Sequence, residues 1–234
     1  MREYDRGTGL QPVRDCELRD LGVLEYGAAL ELQRELVEQR RQGLIPDLLL
    51  IVEHPHVITL GRTGRLSHLL ADEEALRRAG VAFYPTDRGG DITYHGPGQV
   101  VGYPILDLRE WKRDVVAYVR ALEQTLIGAL AEFSLAAERV PGRTGVWTEA
   151  GKIAAIGVHI RRWITSHGFA LNHSTDLSYF RYIVPCGLTA PVTSMRALGC
   201  AASRAEVVAA IARHFAGVFG YRMVEPVGAR QESL

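Results

Sequence analysis

The sequence has few cysteines, no excess of either charge and no long hydrophobic run. Its three cysteines, Cys16, Cys186 and Cys200, form no CxxC pair, so neither a disulfide framework nor a structural zinc site is expected. Basic and acidic residues balance at 27 each, which argues against a nucleic-acid-binding protein. No apolar run approaches the roughly 20 residues of a membrane span, and residues 1–13 lack the apolar core of a signal peptide. We therefore expect a reduced, cytoplasmic, soluble protein that binds neither nucleic acid nor membrane.

The apolar content is 47%, enough for a sizeable core. Helical spacing of apolar residues predicts a helix over residues 26–41, and Asp47–Glu53 is typical of a buried strand. Residues 99–108 predict another strand, in which Pro104 favours an edge position or a bulge. Strands come in runs, with helices between only some of them, which favours an α+β fold.

Two further helices are predicted towards the C-terminal half. Asp114 is a typical N-cap, and Ser203 with Glu206 forms a capping box. The apolar stripe predicted for the first of them is Val115, Val119, Leu122, Leu126, Leu130 and Phe133. Without a linker or low-complexity segment, we expect one domain over residues 14–224, with flexible tails at 1–13 and 225–234.

One unusual segment is the glycine-rich stretch at residues 88–99, RGGDITYHGPGQ. Paired glycines allow a backbone to approach a ligand closely and leave N–H groups available to it. The spacing matches neither a Walker loop nor a dinucleotide fingerprint. A tight hairpin is the alternative, but the density of His, Arg, Tyr and Gly favours a binding segment.

Two neighbouring segments carry small residues in strand contexts. Lys152 opens the otherwise apolar run GKIAAIG, and either sits at an exposed strand end or turns inward beside a dry pocket. In SHGFALN, Phe169 and Leu171 are candidate core residues, while Gly168 and Ala170 are candidates to line a pocket.

Cys186 lies between Pro185 and Gly187 in the segment IVPCGL. A lone cysteine is usually a small buried apolar residue, and this interpretation suits Cys16 and Cys200. A Pro-Cys-Gly turn also allows a side chain to point into a site, so from the residues alone both interpretations of Cys186 remain open. The histidines show no recognised metal-ligand spacing.

Together these segments resemble the lipoyl(octanoyl) transferases, the LipB family of octanoyl-carrier-protein:protein acyltransferases. The resemblance runs from about Cys16 to Tyr221, and RGGDITYHGPGQVVGYPILDL, GRTGVW, GKIAAIGV, HGFALN and IVPCGL stand in the family's order. It implies a mixed β-sheet packed by helices, as in the catalytic domains of biotin and lipoate protein ligases. It also implies Cys186 as the acyl-thioester nucleophile and Lys152 as its charged partner.

The resemblance further implies an acyl pocket and its partners. Asp91 stands at a position that looks variable in the family's pattern and is assigned no separate role. The donor would be octanoyl-acyl-carrier protein, and the acceptors lipoyl domains of 2-oxoacid dehydrogenase complexes and the glycine cleavage H protein; no cofactor or metal is implied. The implied pocket residues are Arg88, Gly89, Gly90, Asp91, Ile92, Thr93, Tyr94, His95, Ala155, Ile156, Gly157, Gly168, Phe169 and Ala170.

The implied chemistry is physically reasonable. A lysine ammonium about 4 Å from a thiol favours the thiolate by up to ~4 kcal/mol, or roughly three pKa units, although burial opposes both charges. Thioester exchange needs no ATP, and either neutral Lys152 or His95 could deprotonate the acceptor amine. Two alternatives remain: an ATP-dependent lipoate or octanoate protein ligase of the same fold, and a non-catalytic protein that binds acyl groups or lipoyl domains.

Some arginines could form a docking patch for the partners, because carrier proteins and lipoyl domains tend to be acidic near their modified residue. A docking patch would draw on the set Arg143, Arg161, Arg162 and Arg181. Solvated surface charge is an equally good explanation of these four side chains.

Overall fold

The computed structural model describes residues 13–184 and 191–226. Cys186 and most of the two predicted tails therefore lie outside the described residues. The strands are β1 (Arg14–Val23), β2 (Asp47–Glu53), β3 (Val57–Leu60), β4 (Ala82–Pro85), β5 (Ile92–His95), β6 (Gln99–Ile105), β7 (Glu138–Val140), β8 (Arg143–Thr148), β9 (Gly151–Arg161), β10 (Ile164–Asn172) and β11 (Tyr221–Val224). The helices are α1 (Tyr26–Arg41), α2 (Glu73–Arg78), α3 (Val115–Ala131) and α4 (Arg204–Phe219), with short 3-10 turns at Leu66–His68 and Leu177–Tyr182.

Two sheets form the frame. The main sheet has the strand order β11-β1-β2-β6-β10-β9-β8-β7, and the small sheet has the order β4-β3-β5. In the main sheet β1 runs parallel to β2 and β11, while the pairs from β2 to β7 are antiparallel. This mixed α+β architecture confirms the predicted fold class.

Helices cover both faces of the main sheet. One core joins α3 and α4 to the face that carries Leu49, Ile51 and Phe169. A second core joins α1 to the opposite face, through residues such as Val101 and Tyr103 of β6. The small sheet has an aromatic core of its own, to which Tyr94 belongs. Alternation along the strands sends neighbouring side chains to these separate cores.

The predicted helix starts are confirmed by their caps. Asp114 accepts a hydrogen bond from the N–H of Ala117, and Ser203 forms the complete capping box with Glu206. The predicted stripe on α3 is wrong at Val115, which is 46% exposed. The buried face begins one turn later, at Tyr118, because the first turn of α3 projects beyond the core.

The edge position predicted from Pro104 is wrong, because β6 is an interior strand between β2 and β10. The ladder to β10 covers only residues 99–102, ending at the pair Gly102 and Phe169. Beyond it, the Thr165 hydroxyl donates to the Pro104 carbonyl at 2.7 Å and accepts from the Leu106 N–H at 2.9 Å. A side-chain hydroxyl thus satisfies the Pro104 carbonyl where the backbone ladder to β10 is interrupted.

Candidate active site

A cavity lies between the main sheet, the small sheet and the start of α1. It contains about 490 Å³ of empty space, including its opening to solvent. Its walls come from the loop before β5, from β5 itself, and from β6, β9 and β10. The lining residues are Tyr26, Arg88, Gly90, Asp91, Ile92, Thr93, His95, Val101, Tyr103, Lys152, Ala155, Ile156, Gly157, His167, Gly168, Phe169 and Ala170.

The structure therefore brings together three of the four segments that the sequence singles out, namely RGGDITYHGPGQ, GKIAAIG and SHGFALN. Of the predicted pocket residues, Gly89 and Tyr94 are outside the lining. The Gly89 N–H donates to the carbonyl of Val158 at 2.8 Å and fastens the glycine-rich loop to β9. The Tyr94 hydroxyl bonds to Nδ1 of His56 at 2.7 Å within the aromatic core of the small sheet.

Small residues form a narrow track along β9 and β10. Ala155 stands opposite Ala170, and Gly157 stands opposite Gly168. Glycine is required at 157, because a Cβ there would lie 2.8 Å from the carbonyl oxygen of Gly89. The track can accept a slender apolar group and excludes a bulky one.

The charged residues of the wall are held by hydrogen bonds. Arg88 is buried and donates from Nε and Nη2 to the hydroxyl of Thr59, and from Nη2 to its carbonyl at 2.7 Å. Asp91 bonds to Nδ1 of His68 at 2.5 Å and accepts from the N–H of Arg65 at 3.2 Å. Both side chains therefore stabilise the loop that forms one wall.

His95 begins a buried hydrogen-bond chain that crosses the site. Its Nδ1 lies 2.7 Å from Oε1 of Gln99, whose Nε2 donates to Oδ1 of Asn172 at 2.9 Å. The amide of Asn172 donates to the carbonyl of Thr193 at 3.0 Å. Burial, with the nearby charges of His54 and Arg88, lowers the pKa of His95 to about 3. His95 is therefore neutral at physiological pH.

Lys152 is half-buried and lies on the cavity wall. Its N–H donates to the carbonyl of Pro191 at 2.9 Å, and its carbonyl accepts from the N–H of Thr193 at 3.0 Å. Its ammonium lies 5.5 Å from the ring centroid of Trp147, within the range of a cation–π contact. Of the two interpretations of Lys152, an exposed strand end or a side chain turned inward beside a pocket, the second agrees with its position in the structure.

Val184 and Pro191 are the described residues nearest to Cys186 in sequence. The N–H of Val184, which precedes the undescribed residues, donates to the carbonyl of His68 at 2.8 Å. Pro191, which follows them, bonds to Lys152. The chain therefore leaves the described structure near His68 and returns to it at Lys152.

Sequence reasoning missed Tyr26, Val101, Tyr103 and His167, all of which line the cavity. The alternation of β6 carried a usable signal, because Val101 and Tyr103 are two residues apart and face the same side as Ala170. Tyr26 carried no such signal, since only the packing of α1 on the sheet brings it to the cavity. His167 lies on β10 beside Gly168, and its N–H donates to Gln33 of α1.

Within residues 13–184 and 191–226, no group of three or more His, Cys, Asp and Glu side chains is arranged to hold a metal ion. No helix in the same ranges is long and apolar enough to cross a membrane. Cys16 is fully buried, and burial raises the pKa of its thiol far above the usual range, which makes it unreactive.

The fold has close counterparts among solved structures. A lipoate-protein ligase A bound with ATP aligns with a TM-score of 0.72 at 17% identity, covering 92% of this chain and 90% of that one. At this identity the likeness shows the fold alone: the chain has the architecture of a lipoate–protein ligase catalytic domain.

Sequence comparison defines the family. The lipoyl protein ligase A/B catalytic domain matches residues 25–216. An octanoyltransferase of Solibacter usitatus is 63% identical over 212 residues, covering 91% of this chain and 96% of that protein. An octanoyltransferase of Koribacter versatilis is 49% identical over 210 residues, covering 87% and 84%. The chain therefore belongs to the lipoyl protein ligase A/B catalytic domain family, and its place among octanoyltransferases makes it an acyltransferase.

Proposed function

We propose that this chain transfers an octanoyl group from octanoyl-acyl-carrier protein to a lysine ε-amine of a lipoyl domain, through an acyl thioester on Cys186. The observation that carries the proposal is the narrow track of Ala155, Ala170, Gly157 and Gly168, with Lys152 on the wall of the same cavity. The octanoyltransferase relatives support the same reaction. Because both sheets contribute to the cavity, we propose that residues 14–224 form one catalytic domain.

The acceptors in this proposal are the lipoyl domains of 2-oxoacid dehydrogenase complexes and the glycine cleavage H protein, and the reaction takes place in the cytoplasm. Neither ATP nor a cofactor takes part, because a thioester donor already carries an activated acyl group. The acyl chain binds along the track, with the pocket residues predicted from the sequence as its walls.

Cys186 is the proposed nucleophile because the resemblance to the octanoyltransferases implies it, and because Pro191, on the C-terminal side of its segment, bonds to Lys152 of the cavity wall. Lys152, which bonds to Pro191, supplies a positive charge at this end of the cavity. If the ammonium lies about 4 Å from the thiol, it favours the thiolate by up to ~4 kcal/mol. The other cysteines are poor alternatives, since Cys16 is fully buried and Cys200 packs against the core shared by α3 and α4.

Two exchanges complete the reaction. The Cys186 thiolate attacks the thioester carbonyl of the donor, the bond to the donor sulfur breaks, and that sulfur takes up a proton. The acceptor amine then attacks the new thioester, loses a proton, and displaces the Cys186 sulfur. The product is an amide, and both thiols are regenerated.

Lys152 is the better candidate for the base in the second exchange. His95 has a pKa of about 3 and is therefore a weak proton acceptor at neutral pH. Acylation of Cys186 removes the thiolate charge that favours the ammonium form of Lys152, so its proton is lost more readily at this stage. We assign His95 to the wall, where its bond to Gln99 helps to hold the glycine-rich segment.

Intact-mass measurement after incubation with octanoyl-carrier protein, without ATP, tests the proposal. We expect one octanoyl adduct on the wild type and on a Cys200→Ala control, and none on Cys186→Ala. Transfer from free octanoate that requires ATP would instead identify a ligase. Absence of any transfer to a lipoyl domain would identify a binding protein.

A further inference from the structure

Glu123 is an acidic residue in the middle of α3, on the face that packs against the main core. It is 0% exposed, among neighbours such as Leu122 and Leu126. A buried carboxylate is costly unless charges and hydrogen bonds compensate for it. The octanoyl chemistry proposed above gives Glu123 no direct task.

Three groups satisfy this carboxylate. Oε2 accepts from Arg120 at 2.8 Å and from Arg139 on β7 at 3.1 Å. Oε1 accepts from the backbone N–H of Gly145 on β8 at 3.1 Å. The two arginines offset the negative charge of the carboxylate. Its other oxygen, Oε1, holds the backbone of β8.

Gly145 occupies an unusual position on β8. Its φ of 120° lies in a region that side chains other than glycine rarely adopt. Its N–H donates to the side chain of Glu123. The next residues have an irregular register, because Val146 pairs with Ala154 while Trp147 pairs with Lys152. Such irregularities re-aim side chains near functional sites.

The side chain of Lys152 packs directly on Gly145. A Cβ at position 145 would lie 2.6 Å from Cε of Lys152 and 3.3 Å from its Nζ. Trp147, two residues along the same strand, contacts the ammonium with its ring. Gly145 and Trp147 thus form the surface on which the end of Lys152 lies.

We propose that Glu123 is a positioning residue for Lys152. Its hydrogen bond from α3 fixes the position of the β8 backbone at Gly145. Because the Lys152 side chain packs on Gly145, this bond also fixes the position of the ammonium at the cavity. Its action is indirect, since Glu123 is not among the residues that line the cavity and its bond reaches Lys152 through Gly145. This inference rests on the proposed role of Lys152 in activating Cys186.

The test compares two substitutions of similar length at position 123. Glu123→Gln keeps an oxygen that can accept from Gly145, whereas Glu123→Met removes it. We expect the single-turnover rate of octanoyl-adduct formation at pH 7 to stay within about 3-fold for Gln and to fall about 100-fold for Met, because a 1 Å misplacement is enough for such a loss. The KM for the donor should change little.

A second variant tests the contact between Gly145 and Lys152 by changing Gly145 itself. In Gly145→Ala the new Cβ would lie 2.6 Å from both the carbonyl oxygen of Ala154 and Cε of Lys152, so the β8 backbone and the lysine side chain have to separate by roughly 1 Å. We expect a similar loss of rate. Arg120→Gln is the matched control, since it removes one ion pair of Glu123 but leaves the bond to Gly145, and it should stay within about 3-fold.

The pH dependence separates positioning from general damage to the fold. A displaced ammonium leaves less thiolate at pH 7, so the rate of Glu123→Met should approach the wild-type rate above pH 9, where the thiol ionises unaided. In a Lys152→Ala background, Glu123→Met should change the rate less than 2-fold. A folded Glu123→Met or Gly145→Ala variant with the wild-type rate at pH 7 would overturn the positioning role, as would a full 100-fold further loss in the Lys152→Ala background. A wild-type rate for Lys152→Ala itself would instead remove the proposed role of Lys152.

Discussion

Lengthening the side chain at Ala155 should shorten the acyl group that the enzyme prefers. Ala155 faces Ala170 across the track, between Lys152 and Gly157 on β9. Ala155→Leu adds three carbons to this narrow space, so it displaces about three methylene groups of a bound chain. At ~0.8 kcal/mol for each buried CH₂, octanoyl transfer loses about 2.4 kcal/mol, which is a fall of roughly 60-fold in kcat/KM.

A hexanoyl donor provides the comparison. In the wild type it buries two methylene groups fewer, so octanoyl should be preferred over hexanoyl by about 15-fold. In Ala155→Leu the shorter chain loses about one methylene group of burial, against about three for octanoyl, so the preference should fall to about one. The assay is kcat/KM for the two carrier-bound donors with one lipoyl domain as acceptor.

Exposed Ala209 on α4 supplies the control, because Ala209→Leu adds the same three carbons outside the cavity. The control should keep the wild-type preference, and thermal unfolding of both variants shows whether overpacking has damaged the fold. An unchanged ratio of octanoyl to hexanoyl transfer in folded Ala155→Leu would refute the assignment of the acyl track.

Two further outcomes are expected, one from a buried histidine and one from surface arginines. Burial lowers the pKa of His54 to about 4, so below pH ~6.5 the unfolded chain binds a proton that the native state does not, and stability falls by up to about 1.4 kcal/mol per pH unit. His54→Gln should flatten this slope in urea unfolding between pH 7 and 4.5; parallel slopes would contradict it. Arg161 and Arg162 line a groove with Arg34 and Arg41, and reversing the first two charges should raise the donor KM roughly 3- to 10-fold at low salt and little at high salt. An unchanged KM at low salt would mean that they are solvated surface charge.

Helix and strand bounds were largely predictable because they depend on local pattern. The bounds of α1 and β2 agree with the apolar spacing, and the caps at Asp114 and Ser203 agree with short-range hydrogen bonding. Val115 was predicted wrongly because periodicity identifies a helix face but not the point at which the core begins.

The predictable part of the site consists of sequence motifs whose own strand or loop lines the cavity. Residues of the glycine-rich loop and small residues of β9 and β10 line one cavity, and the acyl pocket implied by the resemblance remains a prediction. Tyr26, His167 and the contact of Lys152 with Gly145 depend on packing between segments far apart in sequence, and no local pattern encodes them. The proposed role of Cys186 rests on the family resemblance, since a Pro-Cys-Gly turn alone leaves two interpretations open.

Pro104 connects a feature of the sequence to the shape of the cavity. The register places Pro104 opposite His167, where a regular antiparallel ladder would exchange two hydrogen bonds. Proline has no N–H, its carbonyl accepts from Thr165, and the N–H of His167 donates instead to Gln33 of α1 at 2.8 Å. His167 adopts a φ of 54° there and lines the cavity. Because Pro104 interrupts the ladder, the backbone of His167 bonds to α1 in place of β6. The same residue lines the cavity, so the interruption contributes to the shape of the cavity wall.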